Sequence, residues 1–344
     1  MRIVFLILIL LPITLNAQVK YNSESKKLYN KGLKEYKAGN SSDALSLFEA
    51  CVAADNRYVE AYLNISNIKY SAKDYTSAIS NAQKAYANNK FIPEVYSQLG
   101  RSFYQNGQVD SAKFYFEKGQ STGEISQTDK FFLSNSYIAS EQFDLAVEQL
   151  DGIVKVDEKN EAAYNARGRA FFLTAEYDKA EADFKKVLEL KPNTAAAYAN
   201  LANTVLAAGK TEEALAYIEK GIANVSDEDK IQLLILSGNY YSKSGEAENA
   251  SKSFDDAYAL NSKNVVVLNN QAALLLDQDE FESAIAKCNE VLDIMPEMME
   301  AYFNRGIANE MLRNIENACD DWEHAFILGS EKAEEYLNSA TCNE

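Results

Sequence analysis

EAAYNARGRAFFLTAEYDKAEADFKKVLELKPNT, residues 161–194, is the stretch that decides how this chain folds. It carries Tyr164, Gly168 and Phe171, then Ala180, Phe184 and Pro192. Its two segments of about a dozen residues place apolar side chains at i, i+3, i+4 and i+7, the period of an amphipathic helix. The alanine recurs outward in both directions at Ala44, Ala78, Ala112, Ala146, Ala180, Ala214, Ala250, Ala284 and Ala318. Each step is 34 residues except one of 36. A fixed period of this size is the mark of a repeat array.

The neighbours of the alanine repeat with it. Tyr96, Leu99, Gly100, Phe103, Ala112 and Phe116 mark the third unit, and Tyr302, Gly306, Ala318 and Trp322 the ninth. In this pattern the chain closely resembles the tetratricopeptide repeat, a helix–turn–helix unit, over about residues 25–332. The residues agree independently of that likeness. Turn signals such as Ala38-Gly39-Asn40, Asn106-Gly107, Ala208-Gly209 and Ser244-Gly245 separate the paired segments. Small residues stand at the eighth position of each unit (Gly32, Ser66, Gly100, Ser134, Gly168, Ala202, Gly238, Ala272, Gly306). There and at the recurring alanine, two helix axes are expected to approach closely. The expected fold is all-α: a right-handed α-solenoid of about nine helix–turn–helix repeats with a C-terminal capping helix. Such an array escapes the size limit of a single core, because each unit needs only its neighbours. The two extra residues near Ser226–Lys230 are expected to lengthen one turn between repeats.

Residues 1–17 read as a secretory signal: Arg2, an apolar run from Ile3 to Ile13, and Leu15-Asn16-Ala17 before a cut at Gln18. Eleven apolar residues are too few to span a bilayer. No cysteine follows the run, so the expectation is a periplasmic or secreted protein without a lipid anchor or membrane insertion after cleavage. Residues 18–24 form a short lead. Residues 333–344 form the cap and tail, with Ala333, Tyr336, Leu337 and Ala340 on an apolar face. Cys51 and Cys288 lie in the apolar phase of second helices many repeats apart, so both are expected as buried thiols. An antiparallel cap would return Cys342 beside Cys319, and an exported protein can keep such a disulfide.

Nothing marks catalysis. His324 is the one histidine, the cysteines lack paired metal spacing, and no phosphate loop or nucleophile elbow occurs. No cofactor and no metal is implied, and acidic pairs such as Asp255-Asp256 and Asp320-Asp321 read as solvated helix faces. The net charge is −17, or −18 without Arg2, which argues against nucleic acid and anionic membrane surfaces.

The remaining candidate is a peptide-binding groove, since the resemblance implies that first helices line the concave face. Ninth-position residues there are Asn67, Arg101, Asn135, Arg169, Asn203 and Asn239; sixth-position residues include Asn30, Asn64, Asn200, Asn270 and Asn304, with Gln98 among them. Amides donate and accept, so a ladder of them suits the main chain of an extended peptide. The arginines suit a carboxylate. Phe132, Ala166 and Leu236 interrupt the sixth-position track. Aromatics at Tyr36, Tyr70, Tyr104 and Phe172 suit either helix packing or apolar anchoring. Lys31, Arg167, Gln271 and Arg305 replace the usual aliphatic at position seven; their heads are expected to reach water and their units to pack loosely. The composite reading is a non-enzymatic scaffold that holds a protein or peptide partner in an envelope assembly. A second reading is an accessory subunit of an envelope enzyme or transporter that uses edge or convex surfaces.

Overall fold

A computed structural model describes residues 20–338 and Cys342, Glu124 excepted. The proposed signal at 1–17 and Ala340 lie outside the described residues. The described residues hold nineteen α-helices and no strand. None of these helices is long and apolar enough to cross a membrane. They follow one another in hairpin order, from α1(Ser23–Lys37) and α2(Ser41–Ala54) to α17(Met299–Met311) and α18(Ile315–Ile327), with α19(Glu331–Leu337) as the cap. The first helix begins two residues before the expected unit boundary, inside the lead, because Asn22 caps it by accepting from the Ser25 amide at 2.7 Å.

One hydrogen bond closes every hairpin. The amide of the sixteenth position donates to the carbonyl of the eleventh, as in Glu176 to Phe171 at 2.8 Å and Lys210 to Val205 at 2.8 Å. This is the 6→1 bond of a Schellman turn, and it requires a left-handed residue just before the donor. Glycine takes that conformation at Gly39, Gly107, Gly209 and Gly245, but Lys73, Glu141, Ala175, Asp279 and Arg313 take it elsewhere.

Contacts divide the chain into two compact units, residues 1–149 and 150–344. In the first, α1 to α7(Gln127–Ala139) stack pairwise, and each second helix also packs on the next first helix. Ala44, Phe48, Cys51, Ala61 and Ile65 build a shared core across α1–α3(Val59–Ser71). In the second unit, α9(Glu161–Leu173) to α19 repeat the arrangement. The cap closes it by laying Ala333, Tyr336 and Leu337 on Trp322 and Phe303. Apolar layers of this kind stabilise by roughly 25 cal/mol per Å² removed from water.

The two inserted residues do not lengthen a turn. Together with two residues taken from the turn, they extend α13(Asp227–Lys243) at its start, to 17 residues against 13 in α9. The reason is local: Ser226 accepts from the Asp229 amide at 3.3 Å and donates to the Asp229 carboxylate at 2.7 Å, a cap that nucleates helix where a turn was expected.

Candidate functional site

Among the described residues, three clefts on the first helices hold some of the groove residues. In residues 1–149, a cleft of about 510 Å³ is lined by Asn64 and Asn67 of α3, Arg101 of α5(Pro93–Gln105) and Asp129 of α7. Arg101 is already committed: its Nε donates to Asp129 at 2.6 Å and its Nη2 to Ser126 Oγ at 3.3 Å. Asp129 is 1% exposed and also accepts from Ser97 and Ser126. The half-buried guanidinium therefore neutralises a buried carboxylate. Gln98 turns inward to Ser66 Oγ at 2.9 Å. Asn135 does not line this cleft.

In residues 150–344, a cleft of about 460 Å³ brings together Arg169, Asn200 and Asn203. Its floor is Phe172, Phe184, Leu173 and Leu206, the last two 53% and 39% exposed. Arg169 and Asn203 are exposed. A third cleft of about 580 Å³ lies between Asn304, Met299 and Phe303 and the turn into the cap, Gly329–Lys332. Asn239 and Asn270 line none of the three.

The asparagine ladder has a geometry that the sequence did not disclose. Sixth-position amides bond to the fifth position of the preceding repeat: Asn64 to Tyr29 Oη, Asn200 to Asn165 Oδ1, and Asn304 to Asn269 Oδ1, each at 3.1 Å. They tie neighbouring first helices; Asn64 also donates to the Glu60 carbonyl at 2.9 Å, so it meets a ligand only through its oxygen.

At position seven Lys31 is exposed as expected, but Gln271, which donates to Asp255 at 2.8 Å, Arg167 and Arg305 differ. Arg167 and Arg305 do not send their heads to water. Arg167 donates twice to Asp183 at 2.7 and 2.8 Å and once to Asp151 at 2.6 Å. Arg305 repeats the pattern with Asp321 and Asn289. In both cases the partners stand 16 residues either side, on the second helices of the same and the preceding repeat. The hydrogen bonds it donates to Asp183 push the Arg167 guanidinium above its ordinary range, against a smaller opposing effect of burial. These units are bridged rather than loose. Asp321, 4% exposed, is accordingly no solvated carboxylate. The 16-residue spacing of opposite charge was the available signal.

His324 stacks on Tyr302 with ring centroids 5.1 Å apart, and its Nδ1 lies 2.7 Å from the Asp320 carbonyl. Cys51 and Cys288 are buried free thiols, whereas Cys319 and Cys342 are joined by a disulfide, with Cα atoms 5.8 Å apart. Among the described residues, no group of three or more His, Cys, Asp or Glu side chains is placed to hold a metal ion.

Stacked helix hairpins with a polar first-helix face define the class, an α-solenoid. Models of the tetratricopeptide repeat match residues 29–91, 93–121, 133–194 and 174–235, and the chain belongs to that family. It is similar to a DnaJ protein P58IPK homolog of Arabidopsis thaliana, 23% identical over 92% of this chain and 64% of that protein. DnaJ homolog subfamily C member 3 of Mus musculus is 22% identical over 90% of this chain and 67% of its own length. The chain thus spans about two thirds of these relatives. Among solved structures, a tetratricopeptide repeat protein from Parabacteroides merdae aligns over 74% of this chain and 100% of its own, with TM-score 0.54 and 18% identity. The C-terminal part of a repeat-containing protein from Cytophaga hutchinsonii aligns over 70% and 98%, with TM-score 0.56 and 19% identity. These likenesses show the fold, and membership of the family supports a protein-interaction scaffold.

Proposed function

We propose that this chain is a non-enzymatic scaffold that seats an extended peptide or a helix of a partner protein on its first-helix face. The supporting observation is the cleft of Arg169, Asn200 and Asn203. Exposed leucines form a floor that gains from losing water, and amides and one guanidinium at the rim fix the orientation of a main chain. In a chain of net charge −17, the partner segment is neutral or basic overall. An extracytoplasmic site, with residues 1–17 removed, accords with a Cys319–Cys342 disulfide, since such bonds persist in oxidising compartments. The envelope assembly is part of the same proposal.

A displayed library of random peptides, panned on the immobilised protein, tests the groove. Enriched peptides should bind the Leu206→Asp, Asn203→Ala variant at least tenfold more weakly, with its circular dichroism unchanged. Equal binding by that variant removes the cleft from the proposal. The mass of the exported chain tests the compartment: retention of residues 1–17 rejects cleavage.

A further inference from the structure

The cap is the shortest described helix. It has seven residues and fully buries only Ala333. So short a helix does not hold its shape in water unaided. Its packing converges on one side chain: Tyr336 lies with its ring centroid 4.7 Å from that of Trp322 and meets Phe303 edge-on at 5.3 Å. Cys342, five residues past the end of α19, is bonded to Cys319 of α18. Both cysteines are half-buried, so an external thiol can reach the bond. The same segment supplies Gly329, Ser330, Glu331 and Lys332 to the wall of the C-terminal cleft that faces Met299 and Phe303.

We propose that the Cys319–Cys342 bond is a redox latch on that wall: a dithiol opens it, frees α19 from Trp322 and dismantles the C-terminal cleft, while α17 and α18 stay folded. A thiolate of the dithiol attacks one sulfur, the S–S bond breaks and a mixed disulfide forms. The second thiol of the reagent then displaces the remaining cysteine. Two electrons and the two thiol protons pass to the sulfurs of Cys319 and Cys342, and the reagent departs as its own disulfide. Cys51 and Cys288 take no part, since each is fully buried in its second helix.

Trp322 makes the step observable, because it is the one tryptophan of the chain and is 0% exposed. Dithiothreitol added to the native full chain should shift its emission to longer wavelength. It should also speed amide exchange across Ala333–Leu337 at least tenfold, with exchange in α17 and α18 unchanged. The Cys319→Ser variant should show the shifted emission from the start and no response to the reagent. Unchanged emission and exchange in a chain that counts four free thiols would overturn the latch, because packing alone then holds the cap. Loss of protection in α17 and α18 together with α19 would overturn it too, making the bond a staple of the whole last repeat. No ligand enters the measurement, so its outcome is independent of whether the clefts bind peptide.

Discussion

A single atom governs the closest approach within each hairpin. A Cβ built on Gly238 would stand 2.4 Å from the Phe254 ring, and one on Gly306 would stand 2.4 Å from the Trp322 indole. Glycine holds the eighth position wherever an aromatic holds the twenty-fourth: Gly32 with Phe48, Gly100 with Phe116, Gly168 with Phe184, Gly238 with Phe254, Gly306 with Trp322. Where the twenty-fourth is smaller, a Cβ returns, as in Ser66 with Ala82, Ala202 with Ile218 and Ala272 with Cys288. The two positions share one volume. Gly238→Ala should therefore destabilise by about 1–3 kcal/mol despite its better helix propensity. Phe254→Ile in the same chain should recover part of that loss, reproducing Ala202 with Ile218, with a coupling of about 1 kcal/mol. Urea unfolding of the two single variants and the double variant measures the coupling, and additive losses would show that the volume is not shared. The bridging arginines obey a different rule. Asp183 is 5% exposed, so Arg167→Leu leaves a buried carboxylate unpaired and should cost about 3–5 kcal/mol. Arg167→Leu with Asp183→Leu should be much closer to the native midpoint, because no uncompensated charge remains. If the double variant is no more stable than the single one, the bridge does more than neutralise its own partner.

At the scale of the element, the hairpin turn is set by backbone geometry more than by side chains. The left-handed position before each second helix is open to solvent at Gly39, Gly107, Gly209 and Gly245, where an added Cβ would meet nothing within 4 Å. Glycine is used there for its φ rather than for space. Ala175 holds φ 59° at the equivalent place, a conformation that costs an L-residue about 1–2 kcal/mol. Glycine relieves that strain but gives back roughly 0.5–1 kcal/mol of chain entropy. Ala175→Gly should therefore stabilise by a net few tenths to about 1 kcal/mol, and Gly209→Ala should destabilise by a similar amount; thermal unfolding of both reads the sign. Nine turns were legible in the sequence because the period of 34 carries them even where glycine is missing. The extension of α13 was not, since Ser226 and Asp229 resemble a loop until their mutual hydrogen bonds are seen. The pairing of Arg101 was not legible either. Its partner Asp129 lies 28 residues on, in the following repeat, at a position outside the sixth- and ninth-position tracks. Those tracks did locate first-helix residues that share clefts, Asn64 with Asn67 and Arg169 with Asn200 and Asn203. They could not show which of them were already bonded within the protein.

The whole molecule is a sum of neighbours. A globular core spreads a defect through every element it touches, whereas a stacked array passes it only to adjoining repeats. Contacts among the described helices follow that rule: α13 packs on α14(Ala247–Leu260) and on its near neighbours α11(Ala195–Ala207), α12(Thr211–Asn224) and α15(Val265–Asp277). Residues 1–149 and 150–344 each form a compact unit of this kind. Chain-wide cooperativity is thus not guaranteed by the fold, and opening energies should vary along the sequence. Gly238→Ala provides the test, because its clash lies wholly within α13 and α14. Amides in those two helices should exchange faster by about the factor that the lost stability sets, roughly tenfold for each 1.4 kcal/mol. Those in α12 and α15 should respond less, and those in α3 and α4(Tyr75–Asn88) should keep their native rates. Uniform acceleration from α1 to α18 would mean that the array opens as one cooperative body, and nearest-neighbour stacking would then fail as the account of its stability.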